Sequence, residues 1–182
     1  MAIPAARGQL LRDHIAAVAA ELFYRDGIHR VGVDKVAVEA GVTKRTLYHH
    51  FRSKDDLIAG SLRRAPRIRF PKDGGPLERI LGAFDLLETF LDGSEYRGCP
   101  YIIFTAELTD PNHPARKLIN DYAAKRRAWF RDRAAEAGLP DPESLGEQID
   151  VLFEGALASG AKRGDLAAAR AAKKAVSAIL AA

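Results

Sequence analysis

The sequence predicts an all-α fold, with a small N-terminal unit of three helices built around a helix-turn-helix and a larger helical domain after it. Three observations carry this. Apolar residues recur at three- and four-residue intervals along nearly the whole chain, while strict alternation is scarce. Two short amphipathic segments meet at Ala40-Gly41-Val42-Thr43, where the glycine marks a turn. The stretch Ala65 to Pro76 holds three prolines and two adjacent glycines and interrupts the periodicity as a boundary or mobile connector. With 182 residues and 47% apolar content, the chain has ample material for a buried core.

The first helix is expected from Gln9 to Asp26. Leu11, Ile15, Val18, Ala19 and Leu22 lie on one stripe with Phe23 beside it, and Gly27 follows as a left-handed cap. Val33, Val36, Ala37 and Ala40 mark a short second helix, stopped by Gly41. Thr43 is the expected N-cap of a third helix through Lys44, Arg45, Thr46, Leu47, Tyr48, His49 and His50, anchored by Val42, Leu47 and Phe51. Ser53 and Asp56 form an S-x-x-D capping pattern that opens a fourth helix, which Pro66 ends or kinks. Residues 1–53 are thus a helix-turn-helix domain, 54–65 a connecting helix and 66–182 the second domain.

Beyond the connector, Leu77, Ile80, Leu81, Phe84, Leu87 and Leu91 form an amphipathic stripe ending near Gly93. Cys99 to Leu108 is short and strongly apolar, with Pro100 suited to a first helical position. Pro114 opens a helix reaching Ala137, and Pro142 opens another capped by Asp141. Asp165 caps a last, alanine-rich helix to Ala182.

Charge and composition narrow the function. Residues 1–64 carry 11 Lys and Arg against 7 Asp and Glu, and residues 65–182 carry 17 of each sign, so the net +4 lies at the N-terminal end. An anionic partner for that end, or a solvated basic surface, follows equally. No run of eighteen apolar residues exists, and Met1 to Gly8 lacks the hydrophobic stretch of a secretory signal, so a cytoplasmic protein without membrane attachment is expected. The single cysteine, Cys99, has no internal disulfide partner, and no C-x-x-C pair is present, so neither structural metal nor cofactor is expected. G-x-S-x-G, the phosphate-cradling G-x-x-x-x-G-K-[ST] loop and H-E-x-x-H are all absent, which leaves catalysis without a constellation.

The third helix is the best site candidate. Thr43, Lys44, Arg45 and Thr46 crowd its N-terminal end with donors, and the helix dipole adds partial positive charge there. Lys44 and Arg45 can donate to phosphates or to guanine O6 and N7, and Thr43 and Thr46 can bond phosphate or touch a thymine methyl. Phe51 reads as core. Tyr48 shares core and surface roles, because its hydroxyl needs a partner. Adjacent His49 and His50 point about a hundred degrees apart on a helix, which argues against a shared metal.

From Ala20-Glu21-Leu22-Phe23 through Gly27, Val33-Asp34-Lys35-Val36-Ala37, Ala40-Gly41-Val42-Thr43-Lys44, Thr46-Leu47-Tyr48-His49-His50-Phe51 and Ser53-Lys54-Asp55-Asp56-Leu57, the sequence resembles the tetracycline-repressor (TetR) family of one-component regulators. The match covers about a third of the chain, with spacing and residue type in agreement. The resemblance implies that Thr43 to His49 lie in the major groove of double-stranded operator DNA, that Tyr48 holds a phosphate and that Lys54 adds another. Gly32 departs from the pattern, where threonine is usual. That removes a cap and a phosphate contact at the start of helix two, for which Asp34 is a partial substitute.

The resemblance further implies that the C-terminal domain binds a small-molecule effector and forms a homodimer through its last two long helices. Leu145, Ile149, Leu152, Phe153 and Ala156 make a stripe that faces either a partner or the domain core, and Gly155, Ala158, Ser159 and Gly160 permit close helix approach. Val176, Ile179 and Leu180 of the last helix complete the expected interface. The candidate effector pocket comprises Phe84, Leu87, Tyr96, Cys99, Ile103, Phe104, Tyr122, Trp129 and Phe153, bulky residues that serve equally as core. Cys99 is either a thiol activated near a helix start or a buried inert one. Glu107 and His113 orient a ligand or act as caps. The rival reading is a helical adaptor that never contacts DNA, distinguished by the absence of a steep salt dependence in duplex binding.

Overall fold

The structure is a computed structural model that describes residues 3–93 and 96–181, among which there are nine α-helices and no strand. In chain order these are α1 (Ile3–Asp26), α2 (Val33–Glu39), α3 (Lys44–His50), α4 (Lys54–Leu62), α5 (Pro76–Leu91), α6 (Pro100–Glu107), α7 (Pro114–Glu136), α8 (Pro142–Arg163) and α9 (Ala167–Leu180). None is long and apolar enough to cross a membrane. Contacts divide the chain into two compact units. One takes the residues up to Pro66 together with Pro100–Asn120, the other Arg67–Cys99 and the residues from Asp121 onward.

In the first unit α1 packs on α2 and α4, and α2 packs on α3. The helix begins earlier than the expected Gln9, because the Ala-Ala-Arg run before it favours helix and a proline is tolerated in a first turn. It ends as expected, with Gly27 at φ 88°. The core comes from Ile15, Ala19, Leu22 and Phe23 of α1, Val36 and Ala37 of α2, Leu47 of α3, Phe51, and Leu57, Ile58 and Leu62 of α4. Gly60 lies directly beneath Phe51, where a Cβ would stand 2.6 Å from the ring. Burying side chains of this size contributes roughly 1.5–3 kcal/mol each.

The turn between α2 and α3 is held by two backbone bonds, Val42 N to Ala37 O (2.9 Å) and Gly41 N to Val38 O (3.0 Å), with Gly41 at φ 64°. This is a Schellman motif, and it needs a residue that adopts the left-handed conformation without strain. α4 starts as the S-x-x-D pattern predicts: Asp56 N donates to Ser53 Oγ at 3.0 Å, while Asp56 Oδ2 accepts from Arg52 N at 3.0 Å. No side chain caps α2, since Gly32 has none to offer and Asp34 turns instead to Lys44.

In the second unit α5, α8 and α9 pack on one another. Gly160 of α8 meets Leu91 of α5, and Gly146 of α8 meets the Arg131 backbone of α7; an added Cβ would come within 2.7 and 2.9 Å. The unit's centre is aromatic. Phe84, Phe130 and Phe153 pack with centroids 5.3 to 6.2 Å apart, and Phe70 stacks on Trp129 at 4.5 Å. Phe70 belongs to the proline-rich stretch, which forms no helix yet inserts this ring among the others. Asp141 caps α8 by accepting from Ser144 N, whereas the N-cap of α9 is Leu166, which offers no side-chain cap; the expected cap, Asp165, stands one residue earlier and accepts from Ala167 N. The expected end of the last helix, Ala182, lies outside the described residues.

Candidate nucleic-acid interface

The third helix is seven residues long, and its two sides differ sharply. Leu47 is buried and Phe51, its C-cap, is 0% exposed, so Phe51 is core as its periodicity requires. Lys44, Arg45, Tyr48 and His49 are exposed, together with the cap residue Thr43, and Tyr48 shows 42% of its surface. Positions i, i+1, i+4 and i+5 share one side of a helix, so these side chains stand together facing outward. Lys54, half-buried, stands in the first turn of α4.

Thr43, Lys44 and His49 each have a structural engagement as well. The Thr43 hydroxyl accepts from Thr46 N at 3.1 Å and lies 2.8 Å from the Thr46 hydroxyl, so both threonines serve the cap. Lys44 Nζ sits 3.0 Å from Asp34 Oδ1; that hydrogen bond and charge hold its pKa above the ordinary lysine value. An exposed pair of this kind contributes little to stability. It does direct the ammonium toward Asp34 in the first turn of α2. The His49 and His50 rings meet edge to face at 5.3 Å. Burial, then the neighbouring charges of His49 and Arg12, depress the His50 pKa.

Behind this surface, further side chains hold the helices. Arg12 of α1 donates through Nη1 to the His50 carbonyl and lies 4.4 Å over the Phe51 ring. His14 Nε2 lies 3.2 Å from the Ala40 carbonyl. Glu107 of α6 accepts the Ile28 N–H at 2.8 Å, and the His29 ring approaches its carbonyl at 2.8 Å. His113 is buried, accepts from Ala115 N through Nδ1 and directs Nε2 toward Asp55 at 3.4 Å. Glu107 and His113 therefore act inside the first unit as caps and ties. Ile28, His29 and Asp55 lie far along the chain from these two residues and leave no local signal, whereas Ala115 is two residues from His113.

The expected effector residues are drawn from both units. Ile103 and Phe104 belong to the first unit, while Phe84, Leu87, Tyr96, Cys99, Tyr122, Trp129 and Phe153 belong to the second. Phe84, Leu87 and Phe153 are fully buried in packed core, Tyr96 donates its hydroxyl to Leu157 O at 2.9 Å, and Cys99 is buried. Beside them lies a charged cluster that the sequence did not suggest. Arg126, 3% exposed, donates to both carboxylate oxygens of Asp150 at 2.5 and 3.1 Å and to Glu154 at 2.7 Å. Burial opposes its charge, but the hydrogen bonds and charges of Asp150 and Glu154 outweigh it and raise the pKa.

Of the expected interface residues, Ile149, Phe153, Ala156 and Val176 are buried within the single chain, because they supply the contacts among α5, α8 and α9. Leu145, Leu152, Ile179 and Leu180 are half-buried. The outward side of α8 instead shows Val151, 61% exposed, with Gly155, Ala158 and Ser159.

Residues 15–60 match the sequence model of the bacterial regulatory proteins of the tetR family. The fold is similar to that of a tetR-type transcriptional regulator from Streptomyces avermitilis, at 33% identity and a TM-score of 0.79, over 92% of this chain and 98% of the other. The transcriptional activator FasR of Mycolicibacterium smegmatis is 45% identical over 58 residues, 32% of this chain and 24% of its own length. The transcriptional repressor KstR2 of the same species is 30% identical over 103 residues, 53% of this chain and 49% of its own.

Proposed function

Because this chain belongs to the TetR family of transcriptional regulators, which are not enzymes, we propose that it represses transcription as a homodimer on a palindromic operator and is released by a small apolar or aromatic effector. In this reading residues 1–53 read DNA, the helix within 54–65 connects them, and 66–182 bind the effector and pair the protomers. The observation that carries it is the outward side of α3. Thr43, Lys44, Arg45, Tyr48 and His49 stand exposed there while Leu47 and Phe51 anchor the opposite side. Lysine and arginine donors at the groove, with Tyr48 and Lys54 on phosphates, fit the division between base readout and backbone positioning.

The test is Lys44→Ala combined with Arg45→Ala, with operator sites selected from random duplex DNA. The double variant is expected to lose operator binding while keeping its helical content and oligomeric state. Unchanged affinity would remove α3 from the interface, and a wild-type chain whose duplex affinity ignores salt would favour the adaptor reading. A promoter fusion then separates repression from activation.

A two-fold partner is what a palindrome requires, since half-sites lie a helical turn or a multiple apart. Support for pairing comes from the exposed Val151 beside small residues on α8. Val151→Glu, outside the monomer core, is expected to yield folded monomers; a dimer of unchanged stability would count against this face. Compounds that release the operator, screened across apolar and aromatic classes, identify the effector.

A further inference from the structure

Both helices of the helix-turn-helix end on carbonyls that α1 side chains hold. A helix leaves its last C=O groups without intrahelical partners and carries partial negative charge there. At the end of α3 the His50 carbonyl accepts from Arg12 Nη1, whose guanidinium also lies 4.4 Å over the ring of Phe51. Arg12 Nη2 is 3.8 Å from Asp56 Oδ1, and the same carboxylate accepts from Arg52 N. One arginine thus meets the last turn of α3, its C-cap ring and the first turn of α4. At the end of α2, His14 Nε2 lies 3.2 Å from the carbonyl of Ala40, the C-cap. A carbonyl only accepts, so Nε2 carries the proton there.

We propose that Arg12 is a positioning residue for DNA reading: with His14 it clamps the C-terminal ends of α3 and α2 to α1, setting the angle at which α3 presents Thr43 to His49 before DNA arrives. This rests on the DNA-binding function proposed above. The chemistry suits arginine, because a planar guanidinium stacks on Phe51 and donates at its edge in one geometry, which the compact ammonium of lysine does not reproduce. Seven-residue α3 has only two large apolar anchors, Leu47 and Phe51, so a loosened end tilts the whole element. Base contacts depend on that tilt and nonspecific phosphate contacts tolerate it, so the clamp governs specificity.

The experiment measures the full chain and its Arg12→Met, Arg12→Lys and His14→Gln variants on the selected operator and on an unrelated duplex across a salt series, alongside thermal melts. Arg12→Met is expected to lower operator affinity about tenfold, as loss of a charge-assisted hydrogen bond implies. Nonspecific affinity is expected to change by less than about twofold, with the salt slope unaltered because phosphate contacts are neither gained nor lost. Arg12→Lys restores part of the operator affinity. A salt slope reduced by about one, with equal losses on both duplexes, would make Arg12 a direct phosphate contact and overturn the proposal. So would an unchanged ratio of operator to nonspecific affinity. Should Arg12→Met melt below the assay temperature, Arg12→Lys and His14→Gln decide the matter by that same ratio. A wild-type chain without salt-dependent duplex binding overturns the DNA-binding function itself, a result distinct from wild-type binding that the variants share.

Discussion

Glu107 and Ile28 stand 79 residues apart in sequence, yet the Glu107 carboxylate accepts the Ile28 N–H at 2.8 Å. The contact depends on Gly27, whose φ of 88° turns the chain at the end of α1; a Cβ there would stand 3.3 Å from Glu107 Oε2. Without the carboxylate, a partly buried backbone donor loses its acceptor, at a cost of about 1–3 kcal/mol. Glu107→Ala is expected to shift the urea midpoint accordingly, and Glu107→Gln less, since its amide oxygen can accept. An alanine variant as stable as the wild type would show that water serves Ile28 equally well.

Phe70 anchors residues 67–76 within the second unit, and Trp129 is its stacking partner at 4.5 Å. Phe70→Ala is expected to cost about 3 kcal/mol, at the low end for a large aromatic because the ring is only half-buried. The chain has a single tryptophan, so its fluorescence reports this environment alone. A red-shifted emission in the folded variant is expected; an unshifted spectrum with unchanged stability would mean that the stack contributes nothing.

Arg126 and Asp150 form a buried pair whose value lies in being complete. Asp150→Ala strands a guanidinium that is 3% exposed, leaving it Glu154 alone among the carboxylates of the described residues, and is expected to cost about 3–5 kcal/mol. Replacing both partners, Arg126→Met with Asp150→Leu, is expected to recover most of that loss. Thermal melts of the two singles and the double give the coupling directly; additive losses would refute it.

Acid stability gives a further check. Hydrogen bonds from Arg25, then Lys35, bring the Asp26 pKa from 3.8 down to about 2. As pH falls, the unfolded chain takes up that proton before the folded one does, so this stabilisation is present above about pH 4 and fades as pH falls toward 2. His50, depressed below its ordinary 6.5, acts in the same direction but earlier, beginning to subtract stability as pH drops below that value. Asp26→Asn is expected to flatten the lower window only, measured as unfolding free energy against pH; an unchanged acid limb would show that the pair is not formed in solution.

The sequence by itself determined whatever is decided within four residues. The αL glycine at Gly41, the Ser53 and Asp141 caps, the prolines at helix starts and the outward side of α3 are all governed by local hydrogen bonds and a 3.6-residue period, both written in neighbouring letters. An apolar stripe also says that a face is covered, but not by what. The stripe of Ile149, Phe153 and Ala156 is covered by α5, α9 and the aromatic cluster, which leaves Val151 outward. Only the tertiary structure decided that, and only it joined Arg12 to His50 across 38 residues, Glu107 to Ile28 across 79 and Arg126 to Asp150 across 24. Such pairs form because packing strands a donor beside an acceptor that must then be satisfied, and no periodicity in the chain encodes which element packing will bring near.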